Sequence, residues 1–442
     1  MAAFDMRPAS AMRRRLLGGL GAALATAALA PRHAFASAPT PVVVMTSYQT
    51  EPLAVFERAF ERAHPEYRLQ LVWRMPVDIL PWLRKPDHGV DVYWGASPRT
   101  FATLAAEGAF APLEIDRSGL VERLGRTQIS DPQGRYAATE MAGYGFVVNP
   151  GALERRGLSM PADWDALADP RWADQIALPI PARVGFAPPI VDLVLQAYGW
   201  DAGWALWSAI AGNAMLVDAG STFVTDEVAS GRVALGISID FFVASAIANG
   251  KPVRFEYPAH TALNPGHVAR MQHGPNPAGA RAFTEFVLSD VGQRLLLDPD
   301  IRKLPARESA YADPRAPKFN PFVAAREGRM DYDDVRGRPR LALNAALFEQ
   351  WLIAEHDELK RLWRRIGALD ARGRDTRAAR AMLTRVPLTE AQADDPALQR
   401  QFARELEGAP RTGLRPVETQ WREASSAQRR EVDALLSKLE AA

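Results

Sequence analysis

The sequence predicts an α/β protein whose largely parallel sheet is spread over two successive units, with a helical C-terminal extension. Three observations lead there. Short β-rich runs alternate with helical stretches from Val42 to Ser97, the order that lays helices on a mainly parallel sheet. The same alternation returns between Gly143 and Asp240. Beyond about residue 320 the pattern changes, with Leu343, Leu347, Trp351, Leu359, Trp363 and Ile366 at spacings that predict long helices. The 442 residues suit two or three compact units.

In chain order, Val42 to Met45 is a β-rich run that ends in the polar turn Thr46-Ser47-Tyr48-Gln49. Leu53, Phe56, Phe60 and Ala63 then line one face of a helix. Tyr67, Leu69, Leu71 and Trp73 alternate with Arg68, Gln70 and Val72 as a strand does. A helix around Ile79 to Leu83 leads to the strand Asp91 to Trp94, which stops at Gly95-Ala96-Ser97-Pro98. Parallel sheets bind ligands beyond the carboxyl ends of their strands, and there the sequence places Ser47, Tyr48 and Ser97.

In the second unit, Gly143 to Val148 is a strand closed by the turn at Asn149-Pro150. Asp163 to Trp172 is a short helical and turn region, and Ile176 to Ile180 is a strand that exits at Pro181 to Gly185. A helix follows from about Pro189 to Tyr198. Val217 to Thr222 has a strand-to-helix form, with Ser221 and Thr222 where an N-cap belongs. Val233 to Ile239 is a buried strand with the lone carboxylate of Asp240 at its exit. Phe255 to Arg270 is extended again, and Asn276-Pro277 opens a helix that turns Ala282, Phe283, Phe286 and Val287 inward.

Composition narrows the function. Hydrophobic residues at 48% and charged residues at 24% are ordinary for a globular chain. A formal charge of +1 leaves no electrostatic footprint for nucleic acid. With no cysteine there is no disulfide, thiolate zinc site or cysteine nucleophile. Arg13-Arg14-Arg15, the apolar run Leu16 to Ala30 and Ala34-Phe35-Ala36 have the form of a secretory signal peptide cut after Ala36, exported by the Sec or twin-arginine route. Its removal takes five arginines and one aspartate, leaving a mature charge of −3. Phosphate-loop and zinc-protease motifs do not occur, and Gly236-Ile237-Ser238-Ile239-Asp240 has aspartate where a nucleophile elbow needs its second glycine. His260, His267 and His273 fit neither a helix face nor a strand alternation. No catalytic constellation, cofactor site or metal site emerges.

Several loose motifs in a fixed order nonetheless resemble a known family. They are the leader, Val42 to Gln49, Asp91 to Ser97, Gly143 to Pro150, Trp164…Asp169-Pro170…Trp172, Gly231 to Gly236, and Asn276-Pro277 with Phe283, Phe286 and Gln293. Together they resemble the periplasmic solute-binding proteins of ABC importers, in the cluster serving ferric ion, polyamines, thiamine and organophosphates. The resemblance covers about residues 40–315. It implies a type II binding-protein fold: lobe 1 from residues 37–144 and 257–320, lobe 2 from 145–256, two crossover strands and a cleft between the lobes. Residues 321–442 form the helical extension. The resemblance further implies a monomer, no enzymatic activity, and an inner-membrane ABC permease as partner.

The ligand class is read from departures and additions. Ferric-binding relatives carry adjacent tyrosines where this chain has Asp240-Phe241-Phe242, and phenylalanine offers no oxygen to a hard cation. An anion suits more of the chain. Ser221 and Thr222 at a helix start present hydroxyls and free N–H groups, Ser47 and Ser97 sit at strand ends, and Arg183 offers a planar fork. Asp240 accepts from ligand hydroxyls, and Tyr144 and Phe241 face a carbon skeleton. The expected ligand is a phosphorylated sugar, phosphoglycerate or phosphonate. A ferric-ion or polyamine receptor, and a sensor docking on a histidine-kinase ectodomain, are the other readings.

Overall fold

The computed structural model describes residues 38–48, 50–218, 220, 222–403 and 413–441. The expected leader, residues 1–36, and the candidate Ser221 lie outside the described residues. Among the described residues no helix is long and apolar enough to cross a membrane.

The strands are β1 (Thr40–Thr46), β2 (Tyr67–Trp73), β3 (Val92–Gly95), β4 (Phe110–Ala111), β5 (Arg123–Leu124), β6 (Thr127–Gln128), β7 (Tyr136–Val148), β8 (Ile176–Pro179), β9 (Ala214–Val217), β10 (Leu235–Ile239), β11 (Arg254–Glu256), β12 (Leu263–Met271) and β13 (Leu304–Pro305). The path of the large sheet is β2-β1-β3-β12-β7-β10-β8-β9, while β5 and β6 make a separate ribbon. β1 runs parallel to β2 and β3, and β8 runs parallel to β9 and β10. β7 joins these two parallel sets. Its residues 136–143 pair with β12, and residues 144–148 pair with β10, antiparallel in both cases. The strand is thus seven residues longer at its start than the run from Gly143 predicts.

Both half-sheets are covered on two faces by α1 (Thr50–Ala63), α2 (Pro76–Leu83), α3 (Pro98–Ala106), α4 (Pro150–Arg156), α5 (Ala187–Tyr198), α6 (Trp200–Asn213), α7 (Thr222–Ala229), α8 (Asp240–Ala248), α9 (Pro277–Leu288) and α10 (Asp290–Leu295). Strand alternation sends Val42 and Val44 of β1 to one face, against Phe56, Phe60 and Phe283. Met45 goes to the other, against Ile79, Leu83 and Phe101. In the second half Phe146, Ile176 and Ile237 pack with Trp164 and Trp204, while Val147, Ala177 and Val217 meet Val224 and Val243. Helix starts follow local chemistry. The Asn149 and Asn276 side chains accept from the Ala152 and Gly279 amides at 3.0 and 2.9 Å, each ahead of a proline at the first helical position.

The extension contains α11 (Pro321–Arg326), α12 (Asp334–Gly337), α13 (Leu341–Phe348), α14 (His356–Asp370), α15 (Arg377–Leu383), α16 (Glu390–Ala393), α17 (Pro396–Phe402) and α18 (Pro416–Ala441), with a π-helical turn at Glu349–Ile353. Leu343, Leu347, Phe348 and Trp351 belong to the same core as Trp204 and Trp207, so the extension packs on the second half-sheet. The 26-residue α18 comes from a stretch that reads as polar, yet Trp421, Ser425, Gln428, Val432 and Leu436 form a buried stripe. Its polar members are satisfied: Ser425 donates to the Trp351 carbonyl at 3.0 Å, and Gln428 accepts from the Trp351 indole at 3.1 Å.

Candidate ligand-binding site

Charged residues converge where β7 passes from one half-sheet to the other. Glu140 on β7 is 3% exposed, and Lys303, just before β13, is 14% exposed; they pair at 2.9 Å. Glu140 also accepts from the hydroxyls of Tyr48 and Thr139. Burial pushes this carboxyl up, but the Lys303 charge and the two hydroxyls outweigh it and hold the group below its ordinary value. Gly266 on β12 leaves the room: a Cβ there would lie 2.2 Å from Glu140 Oε1. The Lys303 ammonium sits 3.8 Å from the Tyr48 ring centroid and 5.9 Å from that of Phe241. Tyr48 follows β1 in one half and Phe241 is the second residue of α8 in the other, so Lys303 stands between them.

Asp240, the first residue of α8, accepts from the Gly143 amide at 2.8 Å and the Tyr257 hydroxyl at 2.7 Å. Burial raises its pKa to about 6 against the pull of those donors. A carboxyl that holds its proton more tightly when folded lowers stability as pH rises from about 4 to about 6. In Asp240→Asn that loss is expected to disappear. Urea midpoints of both proteins across this interval check it, and parallel pH profiles would show that Asp240 is not the titrating group.

Two cavities flank this crossing. The larger, about 980 Å³, is lined by Asp240, Tyr257, Lys303 and Phe319 among others. Tyr257 and Phe319 stack there with centroids 3.7 Å apart. Among the described residues its wall carries six cations, Arg254, Arg302, Lys303, Arg315, Lys318 and Arg329, against three carboxylates, Asp240, Glu256 and Glu327. The smaller, about 420 Å³, is lined by Ser97, Tyr144, Phe186 and the extension residues Tyr332, Asp334 and Arg338. Both lie in the size range of small-molecule sites.

The expected site residues therefore divide. Asp240 lines the larger cavity, Ser97 and Tyr144 the smaller, and Tyr48 and Phe241 flank Lys303. Ser97 Oγ is within 2.8 Å of Thr100 Oγ1. Ser47 is half-buried after β1, and Thr222 is exposed at the first position of α7. Neither lines the two cavities. Arg183 is not an open fork: it meets Asp218 at 3.4 Å and Glu349 of the extension at 2.8 Å. Of the histidines, His260 pairs with Asp163 at 2.5 Å. His267 is buried with its pKa lowered to about 4 by desolvation, and its Nε2 donates to the Ile129 carbonyl at 3.0 Å.

Sequence reasoning missed Glu140, Lys303, Tyr257 and the remaining cations of the larger cavity. Lys303 and Glu140 are 163 residues apart, and neither belongs to a local motif. The one available signal was a lone glutamate in the otherwise small and apolar run Tyr136 to Val148, since a carboxylate in a covered strand needs a partner.

Comparison with known proteins agrees with the fold. The model of a bacterial extracellular solute-binding protein family matches residues 89–327, more than half of the chain. The phosphoglycerate transport regulatory protein PgtC of Salmonella typhimurium is 30% identical over 266 residues, which is 60% of this chain. The aligned region spans 66% of that relative's length, just under two thirds. The structure of the periplasmic binding protein AfuA from Actinobacillus pleuropneumoniae, with fructose-6-phosphate bound, superposes with a TM-score of 0.56 at 18% identity, covering 73% of this chain and 97% of that one. Iron-bound HitA from Pseudomonas aeruginosa gives 0.52 at 18% identity, covering 65% and 97%. The two latter likenesses concern the fold alone. With its two parallel strand sets joined through β7 and its matching span of residues, the chain belongs to the bacterial extracellular solute-binding proteins and has their mixed α/β, type II binding-protein fold.

Proposed function

We propose that the protein is the periplasmic receptor of an ABC importer and that it captures a small phosphorylated or phosphonate-like metabolite between two closing lobes. Lobe 1 is residues 37–144 and 257–320, and lobe 2 is residues 145–256. One observation carries the choice of an anion: of the six cations on the wall of the larger cavity, Lys303, Arg254 and Arg315 meet Glu140, Glu256 and Asp313, while Arg302, Lys318 and Arg329 have no carboxylate partner among the described residues. In this reading Lys303 and its cationic neighbours hold the anionic group, Asp240 accepts from ligand hydroxyls, and Tyr257 and Phe319 of the same cavity border the carbon skeleton. Each charge-assisted hydrogen bond contributes about 1.5–3 kcal/mol. Four or five suffice for micromolar binding, about −8 kcal/mol, after ordering costs.

The names of two relatives support the same class. PgtC is a phosphoglycerate transport regulatory protein, and the AfuA structure holds fructose-6-phosphate. Iron, present in the HitA structure, finds no oxygen on Phe241 or Phe242, and a polyamine would meet mostly like charge in the larger cavity. Closure of the lobes over the ligand is the event an inner-membrane permease would read.

Thermal-shift and calorimetric titration with 3-phosphoglycerate, fructose-6-phosphate, phosphonoacetate, spermidine and Fe(III) tests the proposal. A phosphate ester or phosphonate is expected to raise Tm and to bind more weakly as salt is added. A rise with spermidine or Fe(III), and with none of the anions, overturns it.

A further inference from the structure

The stretch Met330–Arg340, which leads into α13, is bonded on two sides. On one side lies the β5–β6 ribbon. The Arg126 amide donates to the Met330 carbonyl at 2.9 Å, Thr127 Oγ1 to the Tyr332 carbonyl at 2.9 Å, and the Gln128 amide to the Asp334 carboxylate at 2.8 Å. The chains come so close that a Cβ on Gly125, whose φ is +57°, would lie 1.9 Å from the Met330 carbonyl oxygen. The ribbon is anchored to the first half-sheet. Ser130 Oγ accepts from the Ala138 amide of β7 at 3.0 Å, and His267 of β12 holds the Ile129 carbonyl at 3.0 Å.

On the other side lies α5, in the core of the second half-sheet. Gln196 accepts from the Asp333 amide at 2.9 Å and donates to the Asp333 carbonyl at 3.0 Å. Seven residues on, Arg340 reaches Asp192 at 2.6 Å. The stretch therefore bridges the halves beside the crossover strands. It also carries Tyr332, Asp334 and Arg338 into the wall of the smaller cavity, which Ser97 and Tyr144 line as well.

We propose that Met330–Arg340 is a strap that positions the binding gap by setting how far the two half-sheets open. A hinge motion that separates the β5–β6 ribbon from α5 cannot preserve the bonds on both sides, so the strap resists opening and keeps the wall of the smaller cavity in place. Motion about β7 and β12 is thereby transmitted to the extension. The inference rests on the reading of two moving lobes, but not on the ligand assigned to them.

Spin labels test it, because the chain has no cysteine of its own. Arg58→Cys on α1 and Glu154→Cys on α4 place exposed labels on opposite halves. Electron-paramagnetic distance distributions are recorded without ligand and with 3-phosphoglycerate, in the parent and with Gln196→Ala, Thr127→Val or both. Without ligand, the double variant is expected to shift to longer distances and broaden, with each single variant intermediate. A ligand-free distribution identical to the parent's in all three variants overturns the strap, even if 3-phosphoglycerate shortens the parent's distance. A broadened double variant alongside a parent that ignores 3-phosphoglycerate supports the strap and counts against that ligand.

Discussion

Arg340→Ala is expected to destabilise the protein by about 3–5 kcal/mol, the usual cost of removing one partner from a buried ion pair. Arg340 and Asp192 are 1% and 0% exposed and meet at 2.6 Å, so solvent screens little of the interaction. The guanidinium also reaches Glu390 and Asp394, both at 3.3 Å, and lies 5.7 Å from the Trp200 ring centroid. Alanine would leave the Asp192 carboxylate buried with, among the described residues, the amides of Gln196 and Asn344 at 2.8 and 3.1 Å. The expected loss should concentrate where the extension seats on α5 and α6, as faster hydrogen exchange there and a lower urea midpoint. Replacing both partners by apolar residues, Arg340→Met with Asp192→Leu, should recover part of the stability: no charge is then stranded, but the buried Asn344 amide loses its acceptor. A single variant as stable as the parent would show that the extension docks through its apolar core alone.

Lys303→Ala is expected to weaken binding of a phosphate ester at least ten-fold. One charge-assisted hydrogen bond is worth about 1.5–3 kcal/mol, and each 1.4 kcal/mol is about a factor of ten in Kd. The same change removes the cation opposite Glu140, so stability should fall as well. That penalty is greatest near neutral pH and shrinks as the pH drops and Glu140 takes up a proton. Adding Glu140→Gln removes the stranded charge and should restore the denaturation midpoint without restoring affinity. Calorimetry and unfolding on the three proteins separate the two roles. Undiminished affinity in Lys303→Ala would place the anion elsewhere.

The helix start at Asn276-Pro277 was legible because a turn residue followed by proline is a local signal, whereas the same signal at Ser97-Pro98 and Asn149-Pro150 reads only as a strand stop and a turn, and the structure opens helices there. The strand ends that bear Tyr48, Ser97 and Asp240 were legible too, since short apolar runs stop at polar residues there. The early part of β7 was not. Glu140 interrupts its run, and the Lys303 ammonium with the Tyr48 and Thr139 hydroxyls makes a buried carboxylate tolerable in a covered strand. Arg183 shows the opposite failure. Its position after β8 suits an anion-binding fork, yet the extension supplies Glu349, 166 residues later in the chain, to occupy it. α18 was half legible: its charged face dominates the composition, while its buried stripe includes Ser425 and Gln428, whose burial depends on Trp351.

By itself, then, the sequence determined the alternation of strands and helices, the two α/β runs, the helical character of the C-terminal extension and the strand ends that bear Tyr48, Ser97 and Asp240. These depend on periodicity and capping within a few residues. Tertiary structure alone decided which charged side chains are buried and with whom, as in Glu140 with Lys303 and Asp192 with Arg340, and which exposed cation is already engaged, as in Arg183 with Glu349. It also decided that the extension seats on the second half-sheet and lends residues to the smaller cavity. The physical reason is that an ion pair's energy is set by burial and by a partner more than a hundred residues away, and neither is written in the neighbouring residues.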